Sequence, residues 1–331
     1  MNIIDLHCDT LSEILYGYER GEDIRLASND LHISLDKMEK GGYALQTFAS
    51  FVDLGSGVDP LVHCLKLIDI FNRETAANSD RITPVRSYAD IEAAMAQGKI
   101  AALLSIEEGG ACRGELSVLR HMYTLGVRMM TLTWNYENEL AYPNDTSYHE
   151  ESRHLGIPDK ERGLKDRGIE FLCEMERLGI IVDVSHLGDA CFFDLVKHTT
   201  KPFIASHSNC RSLVGHCRNL TDDMIRAIAE RGGIIGVNYW ASVLEEVQNE
   251  PEARSRIEFM VAHMKHMKKI GGIDCIALGS DFDGITRNLE MYDASCLQNL
   301  CEGIVKGGFT EDEAEKICSG NALRLFKEIL K

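Results

Sequence analysis

Short apolar runs alternate with longer amphipathic segments along the chain, and this alternation most limits what it can fold into. Eight runs rich in β-branched residues occupy residues 2–6, 43–51, 100–106, 127–133, 180–185, 202–206, 233–238 and 275–279. Segments with apolar spacing of three and four lie between them, at 61–77, 88–97, 115–125, 164–178, 189–197, 221–231 and 254–270. That spacing predicts helices. Thr310 and Glu313 form the S/T-x-x-E pattern that opens a closing helix. Continuous apolar strands alternating with helices imply a parallel sheet buried on both faces. Eight repeats predict closure into an α/β (β/α)8 TIM barrel, with an open doubly wound sheet as the alternative. The barrel is preferred because polar, metal-competent residues follow at least five of the eight runs. An open sheet would gather them at one switch point. A barrel of 331 residues is expected to be one domain spanning 1–331. The polar stretch 137–162, with Pro143 and Pro158, reads as a long loop over the barrel mouth.

Charge and cysteine usage narrow the setting. The chain has 52 Asp and Glu against 35 Lys and Arg, a net charge of −17. Such a surface repels phosphate backbones and anionic lipid, so neither nucleic acid nor membrane is an expected partner. The 11 cysteines are odd in number and form no CxxC pair. Reduced thiols in a cytoplasm fit this better than a disulfide framework. The first residues, Met-Asn-Ile-Ile-Asp-Leu-His, have neither the basic nor the apolar part of a signal peptide, and residues 322–331 do not read as a lipid-anchor signal. No apolar stretch reaches the roughly 18 residues of a transmembrane helix.

The chemistry-bearing residues follow the strands. In Asp5-Leu6-His7-Cys8-Asp9, His7 and Asp9 are two apart on a strand and project together, as a pair of ligands for one divalent metal would. The third run ends in Glu107-Glu108-Gly109-Gly110, and a carboxylate at the end of a buried strand calls for a counter-charge. The fifth and sixth runs each end in a histidine, His186 and His207. Two such histidines beside an HxD pair and a strand-end glutamate suit a metal better than two unrelated core positions. Asp281, in Gly279-Ser280-Asp281-Phe282-Asp283-Gly284 after the eighth run, is placed to act as general base and acid. Arg218 precedes a capped helix; it reads either as a surface arginine or as a bidentate clamp for a carboxylate.

Together, His7-x-Asp9, Glu108-Gly-Gly, Val184-Ser185-His186, Ser206-His207-Ser208-Asn209, Arg218-Asn219-Leu220 and Gly279-Ser280-Asp281-Phe282-Asp283-Gly284 resemble the membrane (renal) dipeptidase family, in order and spacing, as far as Gly320-Asn321-Ala322-Leu323-Arg324. The resemblance implies a TIM barrel with two Zn2+ ions that hydrolyses small dipeptides with a metal-bridging hydroxide. It implies that His7 and Asp9 hold one zinc, that His186 and His207 hold the other, and that Glu108, directly before Gly-Gly, bridges them. It also implies that Asp281 handles protons and Arg218 receives the substrate's terminal carboxylate. The family's substrate-contacting histidine after Leu-Thr is replaced here, in Leu132-Thr133-Trp134-Asn135, so Trp134 and Asn135 are the candidate substrate contacts. The same ligands also suit manganese, cobalt or iron. The resemblance suggests a homodimer of the soluble microbial type. Two alternatives stand beside it: an amidohydrolase acting on a non-peptide amide or lactone, and a non-catalytic metal-binding relic.

Overall fold

Among the described residues, every ladder between strands is parallel. A computed structural model describes residues 1–152, 154–286 and 289–331. Its strands are β1 Ile3–Cys8, β2 Tyr43–Phe51, β3 Ile82–Pro84, β4 Ile100–Glu107, β5 Val127–Thr131, β6 Ile181–Asp183, β7 Ile204–Ala205, β8 Ile234–Val237 and β9 Ile276–Leu278. The order β2-β1-β9-β8-β7-β6-β5-β4 closes on itself through the β2–β4 pairing. Eight strands therefore form the predicted TIM barrel. The ninth, β3, lies outside it and pairs only with the start of β4. Its three residues are too few to show a period, so the sequence did not announce it.

Helices cover the barrel, and their apolar spacing explains which face they bury. Asp222–Glu230 buries Met224, Ile225 and Ile228, and begins where the Thr221 hydroxyl accepts the Met224 N–H. Pro60–Ala77 starts with Pro at its first turn, capped by Asp59. The capping box of Thr310 and Glu313 is formed as predicted. Among the described residues, four helices absent from the predicted segments, Thr10–Glu19, Leu35–Gly41, Ala241–Leu244 and Leu297–Lys306, are also present.

Alternation along the strands separates two buried layers. Leu45, Leu103, Met129, Ile181, Ile204, Ile234 and Ala277 form one cluster with Leu325 and Phe326 of the helix Asn321–Ile329. Their strand neighbours, such as Leu104, Met130, Val182 and Ile235, pack with the outer helices. Continuing the first parity up the strands puts Glu107, Thr131, Asp183 and Ser206 on the same side as the inner cluster.

β6, β7 and β9 stop short of the predicted runs, and their ends share one feature. Backbone N–H groups at the mouth donate to buried aspartates instead of neighbouring strands. Ser185 and Ser206 donate to Asp183 Oδ1, and Ser280 donates to Asp5 Oδ1. No helix among the described residues is long and apolar enough to cross a membrane. All 11 cysteines are free thiols.

Candidate metal centre

The C-terminal ends of β1, β4, β6, β7 and β9 bring their polar residues to one point. His7 Nε2 lies 3.4 Å from Asp9 Oδ2 and 3.2 Å from Glu107 Oε2. Glu107 Oε1 lies 3.2 Å from His186 Nε2 and 3.6 Å from His207 Nε2. The two Nε2 atoms of His186 and His207 are 3.0 Å apart. Asp281 Oδ1 stands 3.9 Å from His7 Nε2. Three overlapping groups of donors have the spacing to hold an ion: His7, Asp9 and Glu107; Glu107, His186 and His207; and His7, His207 and Asp281.

The carboxylate that stands among the histidines is that of Glu107, where the sequence pattern had pointed to Glu108. Glu107 ends β4 with the same parity as Leu103 and Ser105, so its side chain reaches the cluster. Glu108 is the first residue off the strand, with φ +93°. That backbone turns its carboxylate away to accept the N–H groups of Gly110 at 2.6 Å and Trp134 at 2.8 Å, and the Asn138 amide. Strand parity, rather than the position before Gly-Gly, carried the signal.

Electrostatics explain why this cluster calls for a cation. Asp9, Glu107 and Asp281 are three acids in one small space. Burial and the nearby Glu107 push Asp9 up to about 6. Burial, opposed by His7, pushes Asp281 up to about 8, with Asp9 and Glu107 adding to the rise. Burial also opposes ionisation of Glu107, yet the His7 and His186 imidazoles hold it well below the usual carboxylate range. His186 is depressed to about 3 by burial and the Arg218 guanidinium, so it is a neutral lone-pair donor. Buried His7 Nδ1, His7 Nε2 and Asp9 Oδ1 have no hydrogen-bond partner among the described residues. Uncompensated buried donors and acceptors are costly, and divalent ions would satisfy this set. Mixed imidazole and carboxylate donors suit zinc. The residues therefore fit the implied metal.

Around the cluster lies a cavity of about 470 Å³. Arg218 lines it, 9 % exposed, and among the described residues forms no ion pair; its Nη2 donates one long bond, 3.4 Å, to the His207 carbonyl. A buried guanidinium so placed is short of an anion. Trp134 forms an aromatic wall, edge to face with Phe51 at 4.8 Å. Asn135 also lines the cavity, but its Oδ1 faces His186 Nδ1 at 3.1 Å. Asn238, which the sequence did not single out, donates to Asp281 Oδ2 at 3.0 Å. Glu108, His186 and Asp281 all have positive φ, +93°, +69° and +61°. Strained backbone of this kind persists where surrounding structure over-determines it, most often at functional sites.

The family model described as membrane dipeptidase (peptidase family M19) matches residues 1–331. An uncharacterized dipeptidase of Schizosaccharomyces pombe is 32 % identical over 310 residues, covering 90 % of this chain and 72 % of that protein. A metallopeptidase from Rhodobacter sphaeroides, solved with a phosphinate mimic of the dipeptide L-Ala-D-Ala, is 25 % identical with a TM-score of 0.90, over 99 % of both chains. The crystal structure of dipeptidase AC, a family M19 metallopeptidase, is 26 % identical with a TM-score of 0.91, over 100 % of this chain and 99 % of that one.

Proposed function

Since the chain belongs to the membrane dipeptidase family, peptidase family M19, we propose that its barrel mouth hydrolyses dipeptides with two zinc ions held by His7, Asp9, Glu107, His186 and His207. Membership makes it a metal-dependent dipeptidase, a hydrolase of peptide bonds. The two-ion arrangement rests above all on Glu107, whose two carboxylate oxygens face different histidines, His7 on one side and His186 with His207 on the other.

Bound zinc would supply a Lewis acid for the scissile carbonyl and lower the pKa of an attacking water to about neutral. The chain's own groups do the rest. Arg218 receives the substrate's terminal carboxylate as a charge-assisted pair and thereby sets the distance from that end to the reacting amide. Asp281 takes the proton of the attacking water and returns it to the leaving amine. Asn238 holds Asp281 Oδ2 while Oδ1 faces the centre. Trp134 and Phe51 exclude water from one wall and offer a face for an apolar side chain.

The unpaired Arg218 favours substrates with a terminal carboxylate over lactones or cyclic amides. Metal analysis and hydrolysis of L-Ala-L-Ala and L-Ala-D-Ala by the purified chain test the proposal. Two zincs per chain, with turnover abolished by a chelator and restored by zinc, are expected. Metal-loaded protein that hydrolyses no dipeptide would overturn it.

A further inference from the structure

Two histidines whose Nε2 atoms meet at 3.0 Å need something on their far sides to hold that arrangement, and the structure supplies a separate device for each. Asp183, 1 % exposed, accepts from four donors: the N–H groups of Ser185 and Ser206, and the hydroxyls of Thr131 and Ser206. The Ser206 hydroxyl has one proton, and it goes to Asp183 at 2.5 Å. The same oxygen lies 2.8 Å from His207 Nδ1. With its proton committed, Ser206 Oγ can only accept there, so Nδ1 carries the hydrogen and Nε2 is left with a lone pair. On the other ring, Asn135 Oδ1 faces His186 Nδ1 at 3.1 Å and accepts in the same sense.

We infer that Ser206, backed by Asp183, and Asn135 are positioning residues that fix the Nδ1–H tautomers of His207 and His186 and so aim two Nε2 lone pairs at one divalent cation. Asn135, a candidate substrate contact from the sequence, thus has a second task behind the histidine. This rests on the proposal that His186 and His207 hold a zinc. The tautomers, however, are set by groups present without metal, so they can be read independently of turnover. The physical reason is acceptor matching. Without the serine hydroxyl, His207 can place its hydrogen on Nε2 toward Glu107 Oε1, and that hydrogen must be displaced before a cation binds.

The test uses the full chain labelled with 15N-histidine and stripped of metal, with signals assigned through His186→Gln and His207→Gln. Nitrogen shifts distinguish a protonated from a bare ring nitrogen. The expected result is Nδ1–H on both rings, with His207 departing from it in Ser206→Ala and returning in Ser206→Thr. In parallel, zinc affinity measured against a competing chelator should weaken about 10- to 100-fold in Ser206→Ala and recover in Ser206→Thr. Asn135→Ala, at a half-buried position that does not depend on repacking the core, should do the same for His186. Wild-type rings protonated on Nε2, or unchanged tautomers and zinc affinity in both alanine variants, would overturn the inference even if dipeptides are hydrolysed. Correct tautomers with no hydrolysis would leave it standing and remove the dipeptidase proposal instead.

Discussion

Adjacent glutamates with opposite tasks should respond oppositely to the same one-atom change. Glu108→Gln leaves shape almost unchanged, but Glu108 accepts from three donors: Gly110 N–H and the Asn138 amide on one oxygen, Trp134 N–H on the other. A glutamine oxygen can serve only one side. Its NH2 group must then face a buried donor. Loss of one hydrogen bond and one unsatisfied pair together cost about 3 kcal/mol. A chain of 331 residues unfolds with an entropy near 0.7 kcal/mol per kelvin, at about 2.1 cal/mol per kelvin per residue. The melting temperature of metal-free Glu108→Gln should therefore fall by about 4 °C, while its zinc content stays at wild-type level. Glu107→Gln should lose at least one zinc and all measurable turnover. Zinc at a hundredfold excess over its Kd stabilises by about 2.7 kcal/mol per site, again about 4 °C. Wild type and Glu108→Gln should show this rise, and Glu107→Gln should not show it in full. Calorimetry with and without zinc, together with elemental analysis, measures each part. The reasoning is refuted if Glu108→Gln strips the metal at unchanged melting temperature while Glu107→Gln keeps its full complement.

Three further outcomes are expected. Arg218→Met should lower kcat/KM for dipeptides about 30- to 1,000-fold, the ~2–4 kcal/mol of a desolvated charge pair, and should leave a C-terminally amidated dipeptide little changed in a parallel kinetic assay. His263 is buried, and burial lowers it to about 4; it accepts the Cys210 N–H on Nδ1 and faces the Leu244 carbonyl with Nε2. Its folded pKa lies below the unfolded value near 6.5, so its contribution is complete above pH 6.5 and is lost as pH falls toward 4, by about 3 kcal/mol. Denaturant titrations across that window should show a decline, and His263→Gln, which gains no proton, should make it shallower by about that amount, with the depressed His186 and His216 supplying the remainder. Cys173 is the one exposed thiol of the 11, so a thiol reagent should titrate about one group in native protein and all 11 in denaturant.

The barrel was legible in the chain because strand and helix periods are local: eight apolar runs and their intervening helices follow from patterns a few residues long. The HxD pair, His186, His207 and Asp281 were legible for the same reason, since each stands at the end of an apolar run. What a few residues cannot show is where neighbouring side chains turn once the strand stops. Glu107 and Glu108 are chemically the same, and only a φ of +93° at Glu108, set by donors from Gly110, Trp134 and Asn138, decides which of them reaches the histidines. Asn238 and Asp183 act from 43 and 24 residues away on Asp281 and His207, through contacts that exist only after the barrel closes. Sequence alone therefore determined the architecture and the kind of donors at its mouth. Tertiary structure decided which carboxylate stands between the histidines and which groups orient them, because those assignments depend on hydrogen-bond partners brought together from separate strands.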